Sequence, residues 1–212
     1  MQVATVNWLE HIANDLAEQG FAIEDNFLSP GEVDEILHVF DIHRENDRFK
    51  KAGIGKSDDF LVDKSIRGDY ITWVDPKNAY PPVQRFLQKV EELKEYLNQT
   101  CFLGIQDYET HFTIYPEGSF YARHLDQFKN TGNRKISFIC YLNQVWDHDN
   151  GGHLRLYLED GPTDILPIAG RLACFVSSEI EHEVMVCNKS RYSLTGWMLN
   201  QKKELDFLIN HA

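Results

Sequence analysis

The sequence has no excess of positive charge and no apolar segment long enough to cross a membrane. Its 212 residues include 21 lysines and arginines against 33 acidic residues, for a formal net charge of −12. Nonspecific nucleic-acid binding depends on clustered lysine and arginine, so we expect no nucleic-acid partner. Apolar runs stay below the ~18 residues of a transmembrane helix, and the N-terminal stretch does not resemble a signal peptide, so we expect no membrane partner.

Paired cysteines are also missing. The four cysteines, Cys101, Cys140, Cys174 and Cys187, include no C-x-x-C spacing. They lie in apolar, strand-like segments, where a buried free thiol is the usual state. Free thiols suit a reducing compartment, so the sequence favours a cytoplasmic location. The remaining composition, 42% hydrophobic and 25% charged, is that of an ordinary globular protein.

Helical periodicity is concentrated in the first hundred residues. Three helices are predicted, over residues 1–20, from Ser29 onward and from Pro81 onward. The second has the pattern of a capping box, with Ser29 as N-cap and Glu32 three residues later. Residues 51–65 show no period and are predicted to form a loop, whereas residues 69–74 alternate as a strand does.

Short β-prone segments separated by turn signals follow residue 100. They cover residues 105–115, 119–125, 134–143, 153–158, 164–168, 171–176, 182–187 and 191–199, with turns at 130–133, 147–152 and 161–162 and a short closing helix over 202–210. This spacing favours a sandwich or barrel. We therefore predict an α+β, mainly β fold with a single domain over 1–212. Helices within 1–100 support a jelly roll, a cupin-like double-stranded β-helix, over 101–200.

A His-x-Asp motif at His124 and Asp126 is the first sign of chemistry. On a strand, side chains two residues apart project to the same face, so both can bind one metal ion. The distant His182 completes a set of two imidazoles and one carboxylate, on a strand expected to lie in the facing sheet. This ligand set leaves one side of the metal open and suits Fe(II), although manganese or catalytic zinc fits too.

Arg191 is the second sign. It follows the strand of His182 after a tight turn, so we expect it on the neighbouring strand, sharing a face with Ser193 and Thr195. A guanidinium inside a sandwich is unfavourable unless it is paired, and a dicarboxylate ligand would pair it through two parallel hydrogen bonds. Ser193 can add a hydroxyl group. Taken alone, Arg191 is an ordinary charge on a surface strand.

Several ordered motifs together resemble a known family. They are Ile66–Asp69 with Ile71–Trp73, Tyr115-Pro116, Tyr121–Asp126, Tyr141–Asn143, Gly151–Arg155, His182–Val184 and Arg191–Trp197. This set resembles the Fe(II)- and 2-oxoglutarate-dependent dioxygenases. Within them it is most similar to the prolyl 4-hydroxylases, in particular the bacterial relatives of the hypoxia-inducible-factor prolyl hydroxylases.

The resemblance implies a role for each matched residue. His124, Asp126 and His182 would bind Fe(II), and Arg191 with Tyr141 would hold the far carboxylate of 2-oxoglutarate. Tyr115, Leu154 and Trp197 would line the co-substrate pocket beside Ser193. Arg67, Asp69 and Tyr121 would contact a proline-containing protein or peptide, over which loop 51–65 would close. The implied reaction consumes O2 and releases succinate and CO2, with ascorbate as an accessory reductant. The expected substrate is a cytosolic, translation-related protein.

Two alternatives remain open from the residues. One is hydroxylation of a free amino acid or small metabolite by the same chemistry. The other is a non-catalytic, cupin-like module that uses the metal structurally. Of the remaining histidines, we expect His11, His38, His43 and His211 to be solvated, and we keep only His111 as a residue near the site.

Overall fold

Two β-sheets face each other in a computed structural model that describes residues 7–53, 66–127 and 133–202. Most of the predicted loop 51–65, the turn before Asn133 and the predicted closing helix lie outside the described residues. The helices are α1 (Trp8–Gln19), α2 (Pro30–Glu45) and α3 (Pro81–Thr100). Among the described residues, none of the helices is long and apolar enough to span a membrane.

Local sequence signals set the helix ends. The side chain of Ser29 accepts a hydrogen bond from the Glu32 backbone, while Glu32 reaches back to the Ser29 backbone, so the predicted capping box is confirmed. Gly20 ends α1 with a φ of 78°, a conformation that glycine adopts at little cost. The chain then turns directly into the first strand, and this brings α1 against the larger sheet.

Within residues 7–53, 66–127 and 133–202, the strands form a seven-stranded and a four-stranded sheet. They are β1 (Phe21–Glu24), β2 (Lys50–Lys51), β3 (Tyr70–Trp73), β4 (Asp107–Tyr115), β5 (Tyr121–His124), β6 (Arg134–Tyr141), β7 (Leu154–Leu158), β8 (Gly161–Ile165), β9 (Leu172–Val176), β10 (Glu181–Val184) and β11 (Arg191–Leu199). The larger sheet has the order β1-β9-β6-β11-β4-β3-β2, and the smaller has the order β5-β10-β7-β8. The predicted α+β fold with a jelly roll is confirmed.

One predicted turn is wrong. Gly161 and Pro162 belong to β8, and the turn lies before them at Glu159 and Asp160. Because β8 is an edge strand, Pro162 can sit in it without removing a hydrogen bond from the interior of the sheet.

Alternating side chains on the larger sheet fill two separate layers. On β6, Ile136, Phe138 and Cys140 join the core between this sheet and the helices. Ile139 and Tyr141 point the other way, into the layer between the two sheets. Polar side chains on this second face are therefore enclosed by both sheets, which is where the predicted site residues converge.

Two predictions about single residues need correction. Cys101 follows the last turn of α3 and is only partly buried, so it is not a buried strand cysteine. His43 is not solvated, because its ring packs 5.4 Å from that of Phe112 and burial lowers the pKa of its imidazole. His38 is exposed as predicted, and His211 lies outside the described residues.

Candidate active site

The predicted metal ligands come together at one end of the smaller sheet. One ligand atom from each of His124, Asp126 and His182 lies within 4.8 Å of the others. The two histidines face each other across β5 and β10, which are antiparallel neighbours. The expectation that they lie on facing sheets is therefore wrong. Asp126 is also not on a strand, since β5 ends at His124 and Asp126 lies in the bend that follows.

Backbone carbonyls orient both imidazoles. Nδ1 of His124 lies 2.7 Å from the carbonyl oxygen of Ala122, and Nδ1 of His182 lies 3.2 Å from that of Ile180. A carbonyl oxygen only accepts, so each Nδ1 carries the proton and each Nε2 presents a lone pair. Both Nε2 atoms lie 3.6 Å from an oxygen of Asp126. The three donors thus converge on a common point.

The protonation states also suit a metal ion. Burial favours the neutral carboxyl of Asp126, but His182, His124 and Arg134 outweigh it and hold the pKa of Asp126 well below its usual value. Burial lowers the pKa of His182 to about 4. Near neutral pH the cluster therefore contains an anionic carboxylate and a neutral His182 imidazole, the forms in which these groups bind metals.

Two side chains stack in sequence on one face of the His124 ring. The ring of Tyr121 stacks on that of His124 with centroids 3.7 Å apart, and the guanidinium of Arg67 lies 4.2 Å from the Tyr121 centroid. Arg67 donates two hydrogen bonds of 2.7 Å to the carboxylate of Asp69, which is 1% exposed. Three residues expected at the substrate site therefore form one connected group beside the cluster.

Arg191 is buried between the sheets. It begins β11 in the larger sheet and pairs with Tyr115 on β4, so the chain changes sheets after β10. The expected placement on the strand next to that of His182 is wrong. The guanidinium carbon lies 5.1 Å from the ring centroid of Tyr115 and 4.9 Å from that of Tyr141. Arg191 is 2% exposed, and neither its Nε nor the Tyr141 hydroxyl makes a hydrogen bond of ordinary geometry to a described residue. The guanidinium is nevertheless close enough to offset part of the rise that burial causes in the pKa of Tyr141.

The other predicted pocket residues lie on the same inner layer. Ser193 is fully buried, pairs with Tyr141 across the sheet, and has its hydroxyl 3.2 Å from that of Thr195. Leu154 on β7 is 1% exposed and packs in the cluster that contains Tyr141. Nε1 of Trp197 is buried and has no hydrogen-bond partner among the described residues. Three unpaired buried donors in one layer indicate a site built for a polar ligand.

Comparisons with known proteins agree with this geometry. The sequence profile of the 2OG-Fe(II) oxygenase superfamily matches residues 110–199. A crystal structure of a Pseudomonas putida prolyl-4-hydroxylase is 36% identical, with a TM-score of 0.84, over 92% of this chain and 100% of that one. The chain belongs to the prolyl hydroxylase family of Fe(II)- and 2-oxoglutarate-dependent oxygenases. Enzymes of this superfamily use Fe(II) with 2-oxoglutarate and O2 as co-substrates.

Two animal relatives extend the likeness. The hypoxia-inducible factor prolyl hydroxylase of Caenorhabditis elegans is 30% identical over 208 residues, which cover 92% of this chain and 28% of that protein. The chain thus spans just over a quarter of this curated relative. A Trichoplax adhaerens prolyl hydroxylase, solved with a hypoxia-inducible-factor peptide, is 28% identical with a TM-score of 0.82, over 91% of this chain and 89% of that one.

The sequence analysis did not identify two residues that belong to this prolyl hydroxylase site, Ser137 and Arg134. Ser137 donates a 2.6 Å hydrogen bond to Asp126 and contacts Ser177 at 2.8 Å. Alternation on β6 places it on the face of Ile139 and Tyr141, so a hydroxyl there was a usable signal. Arg134 lies 3.5 Å over the Trp197 ring. No pattern in the sequence indicates this role for Arg134, because its partners Trp197 and Glu109 lie far from it in the chain.

His111 lies on the inner face of the larger sheet, beside Trp197. Its ring stacks on that of Trp197 with centroids 5.4 Å apart, and it is 2% exposed. Its Nδ1 is buried without a hydrogen-bond partner in the described part of the chain. Burial, with the charges of Arg67 and Arg134, lowers the pKa of His111 to about 3. The imidazole is therefore neutral throughout the physiological range.

This neutral histidine should make the protein sensitive to acid. In the unfolded chain His111 takes up a proton near pH 6.5, whereas in the folded protein it does so near pH 3. Folding is therefore penalised between these values, and stability rises with pH across the window. His111→Phe should reduce that slope by up to about 1.4 kcal/mol per pH unit. Urea unfolding of the metal-free protein between pH 4.5 and 7 measures it.

The exposed His38 supplies the control for this prediction. His38→Gln removes an imidazole that is exposed rather than buried, and its slope is the reference with which that of His111→Phe is compared. An unaltered slope in a folded His111→Phe protein would show that the buried imidazole does not resist protonation.

Proposed function

We propose that this chain is a prolyl 4-hydroxylase that uses Fe(II), 2-oxoglutarate and O2 to hydroxylate proline in a protein or peptide. In this proposal His124, Asp126 and His182 hold the metal. Two imidazoles and one carboxylate suit Fe(II), and no thiolate is among the three donors. A set of this kind would occupy one side of the ion and would leave the opposite side free for a co-substrate and O2.

The observation that carries the proposal is the buried guanidinium of Arg191. A charge that is 2% exposed, with an unpaired Nε, is costly unless a ligand neutralises it. The far carboxylate of 2-oxoglutarate provides that partner, with the unpaired Tyr141 hydroxyl as a second donor and Ser193 beside them. Tyr115, Leu154 and Trp197 then form the walls. A module that used the metal only structurally would have no need for this anion site.

The protein itself contributes geometry and exclusion of water. Fe(II), when bound with 2-oxoglutarate and O2, supplies the oxidising chemistry that yields succinate, CO2 and a hydroxylated prolyl carbon. The backbone carbonyl oxygens that accept hydrogen bonds from the two Nδ1 atoms hold the imidazoles in orientation. The hydroxyl of Ser137 orients Asp126 in the same way. The rings of Tyr115 and Tyr141 hold the Arg191 guanidinium in place and exclude water from it. Because the local dielectric constant is then low, its attraction for a carboxylate is stronger.

For the substrate, we propose that Arg67 and Tyr121 contact the polypeptide while Asp69 holds Arg67. The stack from Arg67 through Tyr121 to His124 supports this, because it connects a partly exposed guanidinium to a metal ligand. The Trichoplax relative was solved with a peptide, which favours a protein substrate over a free amino acid or metabolite. Loop 51–65 as a lid, a cytosolic translation protein as target and ascorbate as reductant rest on the family resemblance alone.

Mass spectrometry of proteins from the host tests this proposal. Cells with the wild-type gene should contain at least one protein with a prolyl residue heavier by one oxygen atom. The same residue should be unmodified in cells that carry only Asp126→Ala, which lacks one metal ligand, provided that the circular dichroism of the purified variant matches that of the wild type. Oxygen added to a free amino acid or metabolite, with no change on any protein, would favour the small-molecule alternative.

A further inference from the structure

Two histidines that take no part in the active site meet at the surface, where a turn leads into β7. Nδ1 of His148 lies 3.3 Å from Nε2 of His153. The centroids of the two rings are 5.4 Å apart, and the ring planes differ by 27°. Because the two nitrogens are much closer together than the ring centres, the imidazoles meet edge to edge through these atoms. We call the two residues the histidine pair.

The backbone holds both members of the histidine pair in place. His148 begins a short 3-10 turn, and the carboxylate of Asp147 caps this turn by accepting a 3.0 Å hydrogen bond from the Asp149 amide. The carbonyl of His153 accepts a 3.0 Å hydrogen bond from the amide of Met185, just after β10. Two ligands that are held close together before binding lose little conformational entropy when they bind an ion.

The spacing of the histidine pair matches that of two ligands on one metal ion. Zinc–imidazole bonds of about 2.0–2.1 Å at a tetrahedral angle place the two nitrogens about 3.3–3.4 Å apart. The contact of 3.3 Å also suits a hydrogen bond in which one nitrogen donates to the other, so an ion and this proton compete for one position. His148 is exposed, and its ring can turn about the Cβ–Cγ bond until both lone pairs face the same ion.

A carboxylate near the histidine pair favours a cation. Hydrogen bonds from Arg155 lower the pKa of Asp164, and the charges of His153 and His148 lower it further. Asp164 is therefore anionic near neutral pH and close enough to interact with both imidazoles. Two imidazoles without a thiolate suit Zn(II), Cu(II) or Ni(II), whereas Ca²⁺ and Mg²⁺ prefer oxygen ligands.

We propose that the histidine pair is a second metal site, which binds a divalent transition-metal ion such as Zn(II) with water in the remaining positions. The site is separate from His124, Asp126 and His182, and it is independent of the reaction proposed for that cluster. Sites with nitrogen ligands bind Zn(II) more tightly than Fe(II), so the pair takes up Zn(II) at concentrations that leave it free of Fe(II). The bound ion joins the turn before β7 to the beginning of that strand.

Calorimetric titration of the metal-free protein with Zn(II) tests this proposal. The wild type should bind one ion more per chain than either His148→Gln or His153→Gln. Each substitution leaves a single imidazole at the surface, which is too weak a ligand to retain the ion alone. Equal numbers of bound ions in the wild type and both variants would overturn the proposal.

Two further proteins exclude other sources of the lost ion. His38→Gln removes an exposed histidine of α2 and should bind as many ions as the wild type. Loss of an ion in His38→Gln as well would show unspecific binding to surface imidazoles and would contradict the proposal. In a protein that already carries Asp126→Ala, His148→Gln should still remove one ion. If it removed none there, the ion would belong to the catalytic cluster and not to the histidine pair.

Discussion

Asp126→Ala is expected to abolish turnover. The variant loses the only anionic ligand of the cluster, which leaves two imidazoles to hold a doubly charged ion. Loss of a residue that merely orients a ligand typically costs about 10–100-fold in metal affinity or activity, and loss of the ligand should exceed that range. Iron content after anaerobic loading, together with succinate release from 2-oxoglutarate, measures both effects.

Ser137→Ala provides the graded comparison for this experiment. It retains all three ligands and removes the Ser137 hydroxyl, with its 2.6 Å hydrogen bond to Asp126 and its 2.8 Å contact with Ser177. Its loss should therefore stay within the 10–100-fold range expected for an orienting residue. Wild-type iron content and turnover in Asp126→Ala would rule out the carboxylate as a ligand.

Arg191→Ala should leave iron bound and chiefly weaken the binding of 2-oxoglutarate. Truncation of one partner in a buried, hydrogen-bonded charge pair costs about 2–5 kcal/mol, which corresponds to roughly 30-fold to a few thousand-fold in affinity. Wild-type protein should develop a visible charge-transfer band when Fe(II) and 2-oxoglutarate are added together without oxygen. The variant should need a correspondingly higher concentration of 2-oxoglutarate for the same band.

Arg155→Ala is the matched control for the loss of a guanidinium. Arg155 follows Leu154 on β7 but points outward, where it pairs with Asp164 at 2.7 Å and remains 29% exposed. Surface ion pairs contribute little, so its 2-oxoglutarate affinity should equal that of the wild type. An unchanged affinity in Arg191→Ala would mean that the buried guanidinium is not the anchor.

Predictions based on local patterns were the most accurate. The capping box at Ser29 depends on residues three positions apart, and alternation correctly placed Ser193 and Thr195 on one face of β11. Both follow from backbone geometry over a few residues. The convergence of His124, Asp126 and His182 was predicted from ligand chemistry and family resemblance, because 58 positions of sequence separate the two histidines.

Predictions about which strands are neighbours were less accurate. The strands of His124 and His182 were expected in facing sheets and are paired in one, whereas Arg191 was expected beside His182 and lies in the other sheet. Strand pairing depends on the packing of whole faces and on where the chain changes sheets. The sequence of a single strand does not indicate how its sheet packs or where the chain passes from one sheet to the other.

By itself, the sequence determined the residue types of the site, the face on which most strand residues lie, the C-terminal end of α1 and the first residues of α2 and α3. These depend on side-chain chemistry and on the short repeats of helix and strand. Only the tertiary structure decided that Arg191 is enclosed by Tyr115 and Tyr141, and that Ser137 and Arg134 meet Asp126. Such contacts join positions far apart in the chain, and they arise when two sheets pack face to face and bury the groups between them.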